Sequence, residues 1–347
     1  MLSRTAPSPV DPPPLPHSRG LLSSAVLGMM RGESPMRADP ADADPYGDDL
    51  QLALYCCYEL HYRGFAGVPD DREWEPGLLA VRRELERVFE RALRADVPAA
   101  DGSRTEDTAE LDGLLVEPVD GRGPSWHLRR DGTLAQLREY VALRSLYHLK
   151  EADPQAWVIP RLSGPAKAAL VSVEHDEYGA GDPDRMHAHL FAEMMASLGL
   201  STAYGHYLDA APATTLAEVN LMSLCGLHRR LRGALVGQFA AVELTSSPGS
   251  ERLVRAMRRL DCPAAAIAFY DEHVEADAVH EQMVRHGVIA PLLAAEPALA
   301  GDVVFGVRAS GFLGERFGDA LLDAWEQGRS ALLVPLPDAP VLAGSAR

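Results

Sequence analysis

Between Phe269 and Glu281 the chain reads Phe-Tyr-Asp-Glu-His-Val-Glu-Ala-Asp-Ala-Val-His-Glu. At about 3.6 residues per turn, His273, Asp277 and His280 fall within roughly 60° of one another on a helix, in a stripe about two turns tall. Two imidazoles and a carboxylate aimed the same way are what a first-row transition metal takes from one helix. Asp271, Glu272, Glu275 and Glu281 lie around the stripe, and alone they read as a solvated charged face.

Two further segments carry donors. Glu243 stands in Phe239-Ala240-Ala241-Val242-Glu243-Leu244, a carboxylate among small and apolar residues. Such a group is costly to bury unless it is paired or bound to a metal. A salt bridge to Arg229 or Arg232 is the bland account. The third segment, Glu174 to His189, is dense in donors and broken by Gly179, Gly181 and Pro183. On an unbroken helix Glu177 and His187 would stand about 80° apart, so the break has to re-aim one of them. His175, His189, Glu174 and Asp176 are rival donors that spacing does not separate. Together the three segments suit two iron or manganese ions in a helical bundle. They do not form the paired Glu-x-x-His arrangement of ferritin-like proteins, and no Cys-containing or His-rich tetrahedral set favours zinc.

The elements that must position these donors are helical throughout. Leu50 to Arg63, Pro76 to Ala95 and Thr133 to Ala152 have helical periodicity. Pro165 to Tyr178 opens with Pro at its first turn, and Asp184 to Leu198 resumes after the Gly/Pro break. Thr215 to Ser246 reads as one or two helices, with Gly233 and Gly237 spaced for a close helix approach. Ser250 to Asp261, Ala264 to His286 with Gly287 as C-cap, and Val303 to Trp325 complete the set. Residues 97–132 are expected to be a long surface loop, and Ala331 to Leu336 is a weak strand candidate. No P-loop or dinucleotide fingerprint occurs. The fold class is all-α.

Composition bounds the function. Among 347 residues, 33 Lys and Arg stand against 50 Asp and Glu, a net charge of −17. That balance argues against nucleic-acid binding and against docking on anionic membranes. Mean hydropathy is −0.10, and no apolar run is long enough to span a bilayer. The four cysteines lack framework spacing and read as reduced thiols, which with no recognisable cleavage site after Leu21 to Met30 points to a cytoplasmic protein. Residues 1–47, rich in Pro and Asp, are expected to be a disordered leader. Residues 48–330 form the domain and 331–347 a C-terminal tail.

The pattern resembles the heme-oxygenase-like diiron oxidases and oxygenases, the iron-containing redox enzymes. The resemblance is carried by Lys150-Glu151-Ala152-Asp153-Pro154, Asp176-Glu177-Tyr178-Gly179, Leu221-Met222-Ser223-Leu224 and the segment from His273 to Glu281. It implies a heme-oxygenase-like helical bundle of about seven core helices. It implies the metal ligands Glu177, His187, Glu243, His273, Asp277 and His280, with Glu151 where some members add one more carboxylate. Two Fe(II) ions, oxidised by O2, are the implied cofactor, with Mn the alternative. The implied activity is oxidation of a small organic substrate by N-oxygenation, desaturation or carbon–carbon cleavage. An external electron donor and a homodimer are compatible with it.

Three rivals accompany this reading. A heme-binding enzyme of the same fold would use His61 as axial ligand, with Arg63 toward the propionates. A thiaminase-II-like hydrolase would use Cys225. A metal-free interaction module leaves Glu243 without a role. Tyr178, Tyr270 and Phe239 are candidate pocket residues, in a cavity expected to be lined by Leu, Val, Ala and Met.

Overall fold

Helical periodicity from Asp48 onward is realised as helices, but several ends and joins fall elsewhere than the sequence suggests. The computed structural model describes residues 11–33, 39–99, 104–116 and 121–337, and among them there is no strand. The helices are α1 Leu21–Met30, α2 Asp48–Glu59, α3 Pro76–Asp96, α4 Arg104–Leu114, α5 Pro124–Arg130, α6 Leu134–His148 and α7 Asp153–Ala156. They continue with α8 Gly164–Glu177, α9 His187–Ser197, α10 Ala213–Leu227, α11 Arg232–Arg259, α12 Ala264–Gln282, α13 Ala290–Ala295 and α14 Ala300–Glu326.

Helix α11 is the spine. It packs along α12 on one side and α14 on another, while α10 and α5 close further faces. The close approach expected at Gly233 and Gly237 occurs against α14. A Cβ at Gly237 would lie 1.9 Å from the Val303 carbonyl oxygen, and one at Gly306 would lie 2.0 Å from that of Ala234. Only hydrogen at those two positions lets the backbones meet.

The leader expected to be disordered is ordered over 11–33, and its apolar patch is α1. Leu22, Val26, Leu27 and Met30 are buried in the core, and α1 packs on α2. Asp49 of α2 accepts from the backbone N–H groups of Leu22 and Ser23 at 2.9 and 2.8 Å, satisfying donors that a helix start otherwise leaves open. Proline density describes the flanks of this patch and not the patch itself. Residues 1–10 and 34–38 of the expected leader lie outside the described residues.

Other expectations change for equally local reasons. The loop expected over 97–132 contains α4 and α5. The two helices expected either side of Pro248 are one, because burial against α12 and α14 outweighs the single hydrogen bond that proline removes. Gly287 is not a C-cap. A π-helical stretch, Met283–Ile289, continues α12 toward α13, and a Cβ at Gly287 would lie 2.8 Å from that of Ala169 in α8. Ala331 to Leu336 forms no strand; Leu332 is buried there, and the Leu333 amide donates to the Ala210 carbonyl. Residues 338–347 of the expected tail are outside the described residues.

Candidate metal centre

Seven residues from five parts of the chain converge inside the bundle. Glu177 ends α8, His187 begins α9, Glu243 projects from mid-α11, and His273, Asp277 and His280 project from α12. Glu151 lies between α6 and α7. All seven are buried. They form two groups whose potential ligand atoms lie within 4.8 Å of one another: Glu151, Glu177, His187 and His273, then Glu177, Glu243, Asp277 and His280. Glu177 belongs to both.

The break between α8 and α9 brings the first pair together. Gly179 and Gly181 have φ of 73° and 89°, conformations glycine tolerates, and at Gly179 a Cβ would meet the Met186 amide nitrogen at 2.6 Å. The chain therefore folds back tightly, and His187 Nδ1 lies 2.7 Å from Glu177 Oε2. The rival donors separate by burial. His175, Asp176 and His189 are exposed, whereas Glu174 is buried. Asp176 still reaches the edge of the site, with Oδ2 3.4 Å from His280 Nε2. Glu243 faces His280 Nδ1 at 3.1 Å, and Arg232 pairs with Glu296 instead.

Several of these atoms fit a cation better than they fit each other. His273 Nδ1 lies 2.7 Å from the Phe269 carbonyl oxygen. That contact assigns the proton to Nδ1 and leaves Nε2 as a lone pair. His273 Nε2 and Asp277 Oδ2 are buried with no hydrogen-bond partner among the described residues, a costly condition unless something else binds them.

Without metal, protons do the neutralising. Burial pushes Glu151 and Asp277 up to about 7 and Glu243 up to about 8. Burial also opposes charge on Glu177, yet His187 beside it holds that carboxylate below its usual value. Burial likewise disfavours the charged imidazoles, but Glu177 lifts His187 to about 9 and Glu243 lifts His280 to about 9. His273, lacking such a contact, is pushed down to about 4 by burial and then by His187. A carboxylate-rich, proton-sharing cluster of this kind takes up a cation by exchanging protons for it.

His148, at the end of α6, is a residue that sequence reasoning missed. Its Nδ1 lies 2.9 Å from Glu151 Oε2, and its ring packs against Phe191 and Phe269. Burial holds His148 far below the usual histidine range, so the ring is neutral, and its Nδ1 donates to Glu151 when that carboxylate is ionised. The three-residue spacing from Glu151 was its only signal. The cavity beside the cluster is about 780 Å³. Tyr270 lines it, whereas Tyr178 and Phe239 do not, and Tyr140, Arg144 and Gln238 make the wall more polar than the expected aliphatic lining.

The rivals within the fold are occupied elsewhere. His61 hydrogen-bonds Glu73 and Arg82, and its ring meets Trp74. Cys225 is fully buried, with burial pushing its thiol up to about 12, the opposite of an activated nucleophile. Neither lines the cavity.

A family model described as iron-containing redox enzyme matches residues 138–314, just over half of the chain and a span that holds all seven converging residues. No curated protein matches the chain. Among solved structures it is similar to a CADD-like protein of unknown function from Nostoc punctiforme. That likeness has 18% identity and a TM-score of 0.47, over 61% of this chain and 97% of the other.

Proposed function

The chain belongs to the family of iron-containing redox enzymes, heme-oxygenase-like all-α bundles, and from that premise we propose that it is a non-heme diiron oxidase or oxygenase that uses O2 to oxidise a small organic substrate. The observation that carries this reading is Glu177, one carboxylate common to two buried four-residue groups. A carboxylate shared between two sites is what a dinuclear centre needs as a bridge, and the remaining donors divide between them. Glu151, His187 and His273 would hold one ion; Glu243, Asp277 and His280 the other. Carboxylate and imidazole ligands in this mixture suit iron, with manganese close to it in preference.

When bound, the ferrous pair would supply the electrons and open positions that O2 reduction requires. The chain's own part is positional. His148 Nδ1 donates to Glu151 and fixes the direction of that carboxylate. The carbonyl of Phe269 accepts from His273 Nδ1 and turns Nε2 toward the cluster. Phe191 and Phe269 wall His148 and His187 from water, and the cavity beside Glu243, His273 and Asp277 admits the substrate. N-oxygenation, desaturation and carbon–carbon cleavage are the reaction types this arrangement serves.

Anaerobic Fe(II) titration of the metal-free chain, followed by O2, tests the proposal. Two irons per chain and a transient visible absorption on O2 exposure are expected. Failure to take up iron, or a Soret band with added heme in its place, overturns it.

A further inference from the structure

The cavity that opens onto the cluster has a second polar region, distinct from the seven residues. Arg144 of α6 and Glu218 of α10 form a partly buried ion pair there, Nη1 to Oε2 at 3.0 Å. The Arg144 guanidinium lies over the rings of Tyr140 and Phe317, 5.8 and 5.3 Å from their centroids. Gln238 of α11 and Tyr270 of α12 line the same cavity and are 1% and 5% exposed. Both amide atoms of Gln238, the hydroxyl of Tyr270 and Nε of Arg144 have no hydrogen-bond partner among the described residues. Four orphaned polar atoms around one cavity are a cost to the fold, and a ligand that pairs with them offsets it.

Charge decides what kind of ligand. Glu151, Glu177, Glu243 and Asp277 would balance two ferrous ions, and Arg144 is already balanced by Glu218. A head group carrying a lone carboxylate or a lone ammonium would enter this interior uncompensated. A head with no net charge that places a donor beside an acceptor matches the carboxamide of Gln238, the hydroxyl of Tyr270 and the Nε–H of Arg144. Arg122, Glu315 and Asp319, which also line the cavity, are exposed, so solvent screens them, while the partly buried Arg252 donates to Ser125 and lies over the Trp126 ring.

We propose that Arg144, Glu218, Gln238 and Tyr270 form the anchoring subsite for a substrate whose polar head bears no net charge and pairs a donor with an acceptor. A primary amide and a zwitterionic amino-acid head share that chemistry. The subsite also sets a length. Tyr270 is one turn before His273 and Gln238 five residues before Glu243, so the helical rise puts the head about 5–8 Å along the axes from the ligand positions. The substrate is therefore a small molecule, oxidised a few bonds from its head.

This assignment rests on the cavity serving the diiron reading, and its test keeps the two apart. Hexanamide, L-norleucine, hexanoate and hexylamine share a six-carbon skeleton and differ in the charge of the head. Their binding to the full chain is measured by calorimetry, both iron-free and loaded with Fe(II) under nitrogen. Hexanamide or L-norleucine should bind the iron-free chain at least about tenfold more tightly than hexanoate and hexylamine. Preference for the amide assigns an uncharged head and preference for norleucine a zwitterionic one. Gln238→Leu and Tyr270→Phe should each weaken that binding about tenfold and leave iron uptake unchanged. Hexanoate or hexylamine binding the iron-free chain as tightly, no effect of either substitution, or no binding by any of the four overturns the subsite. Loss of iron uptake with the head preference intact would instead overturn the diiron function.

Discussion

Replacing Glu177 with Gln should remove both metal ions at once, which no other single substitution in the cluster should do. Each four-residue group would keep three donors: Glu151, His187 and His273 in one, Glu243, Asp277 and His280 in the other. The change keeps an oxygen in place and deletes one negative charge. At an effective dielectric of about 20, a pair of unit charges about 4 Å apart is worth about 4 kcal/mol. A dication in contact with the carboxylate gains at least that much, so each ion should bind at least about a thousandfold more weakly. Glu151→Ala and Asp277→Ala serve as the comparison, because each touches one group only. Anaerobic Fe(II) titration followed by a colorimetric iron count should give two irons for the native chain, one for each of these two variants, and none for Glu177→Gln at the same free iron. Retention of one iron by Glu177→Gln, with the other lost, would refute the shared carboxylate. Retention of two would refute the assignment altogether.

The iron-free chain should lose stability as pH rises from about 6.5 to 9. Burial raises Glu151, Asp277 and Glu243 to about 7, 7 and 8, and Glu177 and Glu243 raise His187 and His280 to about 9 against their burial. A raised value favours the protonated form in the fold, a stabilisation complete below the unfolded value and lost as pH climbs through the folded one. Melting temperature without iron should fall across that window, and iron should restore most at its alkaline end; a rising melting temperature would contradict the cluster's proton sharing. His148→Phe keeps the ring between Phe191 and Phe269 but removes the donor to Glu151, and should weaken one iron about ten- to a hundredfold while sparing the other. Gly237→Ala forces a methyl into the Val303 carbonyl and should cost about 3 kcal/mol, read as a lower urea midpoint. Asp49→Ala uncaps α1, costing about 1–2 kcal/mol, and should speed proteolytic cleavage between Gly20 and Arg31 more than elsewhere.

Part of the candidate site was legible because its chemistry is written in type and local spacing, whereas Glu151 entered only through the family resemblance. His273, Asp277 and His280 share a helix face by periodicity alone, and Glu243 declares itself as a charge in an apolar run. Glu177 and His187 were legible as types, yet their meeting depended on a backbone reversal over Gly179 to Arg185 whose direction no helical wheel contains. The rivals His175, Asp176 and His189 differ from them in which side of α8 and α9 faces the bundle, and Glu174, buried as well, differs in lying outside both four-residue groups; both are properties of packing. Arg144, Glu218 and Gln238 gave no local signal. An Arg or a Gln in an amphipathic helix looks the same whether it meets water or a cavity.

The fold divides along the same line. Helix content and a close helix approach at Gly233 and Gly237 could be anticipated, since periodicity and paired glycines are local quantities, but that α14 is the partner could not. The order of residues 21–30 could not. Their burial comes from α2, and their cap is a side chain more than twenty residues away. By itself the sequence determined an all-α chain with a buried set of carboxylates and histidines suited to iron. Tertiary structure alone decided that one of them, Glu177, belongs to two groups at once. Sharing a carboxylate requires α8, α9, α11 and α12 to be within a few ångströms of one point, and that proximity is set by the packing of distant segments.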